Sequence, residues 1–426
     1  MAEVNGRTRV FAGSYDHNVY CLDAESGEEL WRFTTGCLVK AAPVFAVIDG
    51  RPMLFVASSD RAFYGLDAET GRKLWTLETY SWTYTVGESL AGSPLVADVD
   101  GKPVLFATMW NGDKRPLRTT QIGELFAIAP QDGALLWRRK LSSAKLSPPT
   151  LATVNDRTVV FAGSEDGTLY ASDARTGEAL WKYTSGHRID AAPVFTRIAG
   201  QPIVIIVNAF GMMRALSAAN GSQIWQYKCG HEILSTPAIV AAAGKLMVIV
   251  GASDRCVHAI DAKTGERMWT FQTGKYVVAS PAIGQIRGRA TVFINSLDNN
   301  LYVLDAETGC EIMRFASGDM LWPYETRGIS IWSSPSLGTT AEGNGILLYP
   351  GHDGKLYAFT TTAADKPRDG DAALTGWSPG QQTRPNKARH ATGAVLWLPP
   401  TVAGALMLAG ILIVLFPTRR HLHRKA

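Results

Sequence analysis

Leu66-Asp67-Ala68-Glu69-Thr70-Gly71-Arg72-Lys73-Leu74-Trp75 runs from a polar turn into a strand that carries a tryptophan. The pattern recurs. Trp31 and Trp75 stand 44 residues apart, and Trp137, Trp181, Trp225, Trp269 and Met313 follow one another at the same 44-residue step. Only the step from Trp75 to Trp137 is longer, at 62. A fixed period of this length marks a repeat architecture, in which one unit cannot bury its apolar face alone and stacks on its neighbours.

Each unit has the same parts. An apolar strand such as Val159-Val160-Phe161-Ala162 is followed by a polar hairpin, Ser164-Glu165-Asp166-Gly167, and a second strand, Leu169-Tyr170-Ala171-Ser172-Asp173. An Ala-x-(Thr/Ser)-Gly turn comes next, whose glycine tolerates positive φ. Then comes the tryptophan strand, and after a loop a fourth strand opening on (Ser/Ala/Thr)-Pro, as at Ala42-Pro43, Ser93-Pro94, Ala192-Pro193, Thr236-Pro237, Ser280-Pro281 and Ser334-Pro335. Short β-branched and aromatic runs between Gly/Asn/Asp turns predict antiparallel sheet. Four strands per unit predict an all-β propeller.

The stretches Leu66–Trp75, Ile260-Asp261-Ala262-Lys263-Thr264-Gly265-Glu266-Arg267-Met268-Trp269 and Leu22–Trp31 resemble the tryptophan-docking motif of PQQ-like, quinoprotein-type propeller repeats. The likeness extends from about residue 9 to about 360. It weakens at Ala129-Pro130-Gln131-Asp132-Gly133 and Ser217-Ala218-Ala219-Asn220-Gly221, which lack the leading aspartate, and at Met313, which replaces the tryptophan. Trp31, Trp75, Trp137, Trp181, Trp225, Trp269 and Met313 are expected to be blade-docking residues, because a buried indole supplies large apolar area and an N–H that needs a partner.

The middle-strand pair occurs eight times, the tryptophan strand and the (Ser/Ala/Thr)-Pro strand seven times each, Ser147-Pro148 included. The expected architecture over 1–360 is therefore an eight-bladed propeller with incomplete first and last blades. The first lacks its opening strand and the last, ending at Leu356-Tyr357-Ala358-Phe359, its closing strand. A segment upstream of Met1 would fill both gaps; residues 361–380 folding back are the rival.

The chain has 42 basic and 38 acidic side chains, net +4. Arg419, Arg420, Arg424 and Lys425 account for that excess, which leaves 38 of each sign elsewhere and argues against nucleic acid as a partner. Cys21, Cys37, Cys229, Cys256 and Cys310 form neither a CxxC nor a vicinal pair, so a disulfide framework and covalent haem are not expected.

Residues 361–390 read as a flexible linker rich in Ala, Thr, Gly, Pro and charge. Ala391–Pro417 has no charged residue and is expected to be a transmembrane helix, followed by a basic cytoplasmic tail, 418–426. That topology predicts a single-pass membrane protein with its propeller in the periplasm, the exterior or a lumen. The alternative is a tail-anchored protein with a cytosolic propeller. Met1-Ala-Glu-Val-Asn-Gly-Arg has no apolar stretch and is not a signal peptide. Leu398-Pro399-Pro400-Thr401 resembles the start of a sortase box, but Val402 stands where glycine is required.

Function is to be sought where the period breaks. Extra residues follow the second tryptophan strand, around Trp82 and Tyr84. Others enlarge the third hairpin, around Trp110 and Arg115, and a third set follows Met313, around Trp322, Tyr324, Arg327 and Trp332. Trp, Tyr and Arg are the residues favoured at binding hot spots. These eight are the candidate ligand- or partner-binding residues; mutual packing of the insertions fits the same composition. His187 and His231 fall at equivalent positions in consecutive units, with Asp190 and Glu232 nearby, and read as polar loop residues rather than a metal pair. No metal site and no catalytic residue is singled out.

The resemblance implies two functional branches. Quinoprotein dehydrogenases hold PQQ and calcium in an axial funnel, some with a vicinal cysteine pair that this chain lacks. Outer-membrane-assembly lipoproteins and membrane-anchored lumenal sensors use such propellers as non-enzymatic docking platforms. The preferred expectation is a membrane-anchored scaffold or sensor that binds a protein or an extracellular ligand, with no cofactor. A PQQ-dependent dehydrogenase is the alternative.

Overall fold

A computed structural model describes residues 1–14, 16–24, 26–79, 90–111, 122–142, 144–286, 288–316, 335–339, 345–350, 356–360, 393–396, 405–408 and 411–414. The described strands form eight antiparallel sheets, numbered here 1 to 8 in chain order. Sheet 4 shows the pattern: Thr150–Val154, Arg157–Gly163, Thr168–Asp173 and Ala179–Thr184, each paired with the next. The first hairpin of a sheet turns on two residues of positive φ, for example Asp49-Gly50 (49° and 76°). Both central residues of a type I′ turn need that conformation, and its twist matches the strands it joins.

Apolar clusters fill the space between consecutive sheets rather than the interior of any one. Phe55, Phe63 and Trp75 of sheet 2 meet Leu105, Ala107 and Phe126 of sheet 3, and corresponding clusters join every consecutive pair from sheets 1 and 2 to sheets 7 and 8. The middle strands are buried on both faces, so they read as continuous apolar runs such as Ile203-Val204-Ile205-Ile206-Val207.

The tryptophans dock as expected. The indole Nε1–H of Trp31, Trp137, Trp181, Trp225 and Trp269 donates to the carbonyl of Ala68, Ala174, Ala218, Ala262 and Ala306, each in the following sheet, at 2.9–3.3 Å. Trp75 reaches Pro130 instead, at 2.9 Å. Each ring lies on the turn glycine of that next sheet. At Gly265 the φ is +77° and a Cβ would stand 2.8 Å from Trp225.

A register shift between the third and fourth strands precedes every docking residue, as at Ala215/Leu216 opposite Trp225. Such a bulge re-aims the side chain that follows. The residue paired across from the docking position is small wherever that position is Trp: Cys21, Gly65, Ala127, Ala171, Ala215 and Ala259. Opposite Met313 it is Val303. The slimmer docking side chain and the larger partner compensate, and Met313 packs with Phe293, Leu301 and Leu347.

The turn aspartate also has a structural role. Asp67 Oδ1 accepts the amides of Glu69 and Thr70 and the Thr70 hydroxyl, and Asp173, Asp261 and Asp305 each accept the corresponding pair of amides. In the two units without it, the acceptor moves to the residue before glycine: Asp132 holds Ala134 N–H and Asn220 holds Ser222 N–H, both at 3.0 Å.

The first blade corrects the expectation that its opening strand is absent. Ala2–Val4 pairs with Arg7–Arg9 through an Asn5-Gly6 turn (φ 52° and 73°), as a three-residue version of the five-residue strand that opens sheet 2. The Asn-Gly dipeptide between Val4 and Arg7 is the sequence signal for it. The fourth place in sheet 8 is also filled: Gly393–Leu396 pairs with Leu356–Phe359. It lies in Thr392-Gly393-Ala394-Val395-Leu396-Trp397, which repeats Thr176-Gly177-Glu178-Ala179-Leu180-Trp181. Within 391–417 the other described residues are strands, Ala405–Leu408 and Ile411–Val414, the first meeting Gly13 of sheet 1 through Met407. The rest of that segment, the 361–390 linker and the basic tail lie outside the described residues. Among the described residues no helix is long and apolar enough to cross a membrane.

Two stability outcomes follow from the docking geometry. Trp225→Ala should cost about 3–5 kcal/mol by denaturant titration, since the ring is buried and its N–H is paired. Met313→Trp alone should lower the melting temperature by overpacking against Val303, and adding Val303→Ala should restore most of it.

Candidate docking face

Antiparallel order puts the second hairpin of each sheet and the loop leading to the next sheet on one face. Hydrogen bonds between neighbouring sheets knit that face together. Asp60, in the hairpin of sheet 2, accepts Gly36 N–H from the loop after sheet 1 at 2.7 Å and Tyr64 O–H at 2.6 Å. Asp298 of sheet 7 repeats this with Gly274 at 2.6 Å and Tyr302 at 2.8 Å. Asp166 takes the Ser142 hydroxyl at 2.6 Å and Tyr170 at 3.0 Å. Asp16 takes Tyr20 at 2.5 Å.

These bonds set the ionisation of the groups. Burial pushes Asp166 up, but the bonds from Ser142, Thr168 and Tyr170 outweigh it and hold the carboxyl below its usual 3.8. The tyrosines move the other way. Burial, then the bond to the aspartate, lifts Tyr20 and Tyr64 well above 10 and pushes Tyr302 up to about 12.

Sheets 5 and 6 break the pattern. In sheet 5 the aspartate position holds Phe210. His187, from the preceding loop, stacks on it with centroids 4.4 Å apart and planes at 11°. Lys228 Nζ lies 3.7 Å from the same ring and donates to the Phe210 carbonyl. Beside them Arg188 bridges Glu232 at 2.5 Å and Asp190 at 3.0 Å. Phe210 is 54% exposed and Tyr276, on the loop after sheet 6, 53%. In sheet 6 the tyrosine position holds His258, whose Nε2 lies 3.0 Å from Asp254 Oδ2 and whose Nδ1 lies 3.1 Å from Tyr227 Oη. Cys256 stands between them, and the ligand atoms of Asp254, Cys256 and His258 all fall within 4.8 Å of one another. Burial would raise Asp254, yet the bond and charge of His258 and the amides of Gly230 and Cys256 pull it below its usual value.

Of the expected binding residues, the structure describes Trp110. It sits in the strand Lys102–Asn111, pairs with Gly123 and Leu90, and is 9% exposed, inside the sheet rather than on its surface. Trp82, Tyr84, Arg115, Trp322, Tyr324, Arg327 and Trp332 lie outside the described residues. The strands that lead into their segments, ending at Glu78, Asn111 and Ala316, all end on this face. His187 stacks on Phe210, and neither it nor His231 belongs to the three-ligand group found among the described residues. Phe210, Tyr276 and the Asp254-Cys256-His258 group were not singled out from sequence. Aligned with Asp166-Gly167-Thr168-Leu169-Tyr170, the runs Phe210-Gly211-Met212-Met213-Arg214 and Asp254-Arg255-Cys256-Val257-His258 show the departures directly.

Stacked four-stranded sheets joined by indole-to-carbonyl bonds define a β-propeller of PQQ-like repeats. A family profile described as outer membrane protein assembly factor BamB matches residues 2–147, 121–199 and 165–322, and the chain belongs to that family. No curated protein matches it in sequence. Among solved structures, BamB from Moraxella catarrhalis is 19% identical with a TM-score of 0.53, covering 84% of this chain and 92% of its own. A europium-containing methanol dehydrogenase is 15% identical at TM-score 0.58, over 83% and 80% of the two chains. Saccharomyces cerevisiae Sqt1 is 14% identical at TM-score 0.61, over 83% and 92%. At these identities the likeness shows the fold.

Two outcomes test the site chemistry. A carboxyl whose folded pKa is depressed stabilises the fold above its unfolded value, and that contribution is lost as pH falls through the folded one. Asp166→Asn should therefore be destabilising relative to wild type above about pH 5, with the gap closing below about pH 3, by denaturant midpoint. Burial pushes the Cys21 thiol up to about 12 and the Cys229 thiol higher still. Native protein should give fast alkylation at exposed Cys310 and none at Cys21 or Cys229 until denaturant is added, by peptide mass mapping.

Proposed function

We propose that this propeller is a non-enzymatic docking platform that binds a protein partner through the face built by the second hairpins and the inter-sheet loops. The observation that carries this reading is the division of labour on that face. Asp60, Asp166 and Asp298 are engaged in bonds between sheets, while Phe210, with Lys228 over its ring, and Tyr276 are more than half exposed. Exposed aromatics framed by charge are the composition of a protein-binding hot spot. The family's description, an outer membrane protein assembly factor, agrees with this reading. The wider expectation of an eight-bladed ring tethered outside the cytosol belongs to the same proposal. Its support is the count of eight sheets among the described residues and the uncharged run from Ala391 to Pro417 before a basic tail.

The dehydrogenase alternative rests on the methanol dehydrogenase likeness. Calcium takes a shell of oxygen ligands. The Asp/Cys/His group found among the described residues offers a single carboxylate beside sulfur and nitrogen, so no step through PQQ is assigned to these residues.

A photo-crosslinking residue at Phe210 or Tyr276 should capture a discrete partner in cells, whereas the same residue at Ile224, on a fourth strand, should not. Equal capture at both places overturns the docking face. PQQ with calcium, well above micromolar, should leave the melting temperature unchanged; a rise of several degrees would favour the enzyme. For the tether, the chain should pellet with membranes and resist salt extraction, and deletion of 398–426 should release it.

A further inference from the structure

The repeats of this chain serve as internal controls for one another, and in sheet 6 they isolate a second chemistry. At the hairpin positions i, i+2 and i+4 four other sheets carry Asp16, Asn18, Tyr20; Asp60, Ala62, Tyr64; Asp166, Thr168, Tyr170; and Asp298, Asn300, Tyr302. In all four the tyrosine hydroxyl donates to the aspartate, so the fold is satisfied by Asp and Tyr alone. Sheet 6 keeps Asp254 and replaces both of the others, by Cys256 and His258. Neither replacement is needed for the inter-sheet bond, which Asp254 still makes to Gly230 N–H at 2.8 Å. Both are changes to stronger metal ligands, and they occur in the same repeat.

We propose that Asp254, Cys256 and His258 form a binding site for one divalent transition-metal ion of the zinc class. Cys256 and His258 are alternate residues of one strand and so project from the same side of the sheet. Asp254 stands at the hairpin beside them, held by the amides of Gly230 and Cys256. The three ligand atoms lie within 4.8 Å of one another. Tetrahedral zinc with bonds of about 2.0–2.3 Å needs donor atoms roughly 3.4–3.8 Å apart, so contraction by about 1 Å through side-chain torsions closes the site. A mixed S/N/O donor set selects zinc, cobalt and their neighbours over calcium or magnesium.

The surroundings suit the chemistry. A neutral His258 beside the Asp254 carboxylate, which can only accept, places its proton on Nε2 and leaves Nδ1 to accept from Tyr227 Oη. When Nε2 ligates the ion, the imidazole proton moves to Nδ1 and is donated to the Tyr227 oxygen, which supplies the outer-shell partner a ligating histidine requires. The Cys256 thiol loses its proton to solvent and binds as thiolate. Gln272 Oε1, 3.3 Å from Cys256 Sγ, or a water completes four-coordination. This site is independent of the docking reading and stands or falls alone.

Cobalt(II) titration of the reduced, purified full chain tests it, followed by displacement with zinc(II). One cobalt per chain, with a thiolate-to-cobalt charge-transfer band that zinc abolishes, is expected. Cys256→Asn with His258→Tyr rebuilds the residues that sheet 7 already carries at Asn300 and Tyr302, so the double variant should fold with an unchanged melting temperature and lose the band. Tyr227→Phe should keep the stoichiometry and weaken affinity by about 10–100-fold. Absence of a charge-transfer band in wild type, or a band and stoichiometry that survive in the folded double variant, overturns the proposal.

Discussion

The whole architecture depends on an indole laid over a glycine of the next sheet with its N–H on that sheet's carbonyl. A four-stranded sheet of this size cannot bury both of its faces, and the apolar clusters all lie between sheets. The docking tryptophan joins one sheet to the next over a sequence distance of 37 residues in five of the junctions. Everything around it is shaped to admit it: the bulge that aims it, the small residue opposite, the glycine beneath, the aspartate that pins the turn. The Met313–Val303 pair shows that this is a volume constraint and not a demand for tryptophan as such.

A second layer of bonds, on one face, explains why that face is chemically quiet where it follows the repeat. Asp16, Asp60, Asp166 and Asp298 look like a set of carboxylates available for chemistry. They are engaged by tyrosine hydroxyls, and most also by groups from the preceding sheet. Where the repeat departs, at Phe210 and at His258, the face gains exposed aromatic surface or a ligand cluster. The same scaffold therefore separates structural polar groups from those left to act.

Much of the fold was legible because it is periodic. The strands, their turns and the tryptophan seams follow from spacing and from the needs of a buried indole. Two strands were missed for a common reason: local signals were outweighed by a larger pattern. Asn5-Gly6 announces a hairpin, but only three residues precede it. Thr392-Gly393-Ala394-Val395-Leu396-Trp397 carries the docking pattern, but it opens a long uncharged run and follows a long linker, so hydropathy dominated. Among the expected binding residues Trp110 is buried, since an aromatic at the edge of an insertion extends a strand and is covered by its neighbours.

By itself the sequence determined the repeat, the strand order within each unit and the docking residues, because each depends on contacts at a constant separation along the chain. The tertiary structure decided which polar groups are committed and which are not. Asp254 and Asp298 occupy the same repeat position, and their difference lies in the side chains that reach them across a hairpin, Cys256 and His258 in one case, Asn300 and Tyr302 in the other. Likewise Phe210 is exposed yet held, through His187 and Lys228 from neighbouring strands and loops. Such commitments depend on distances between atoms brought together by sheet stacking, which no periodicity in the chain encodes.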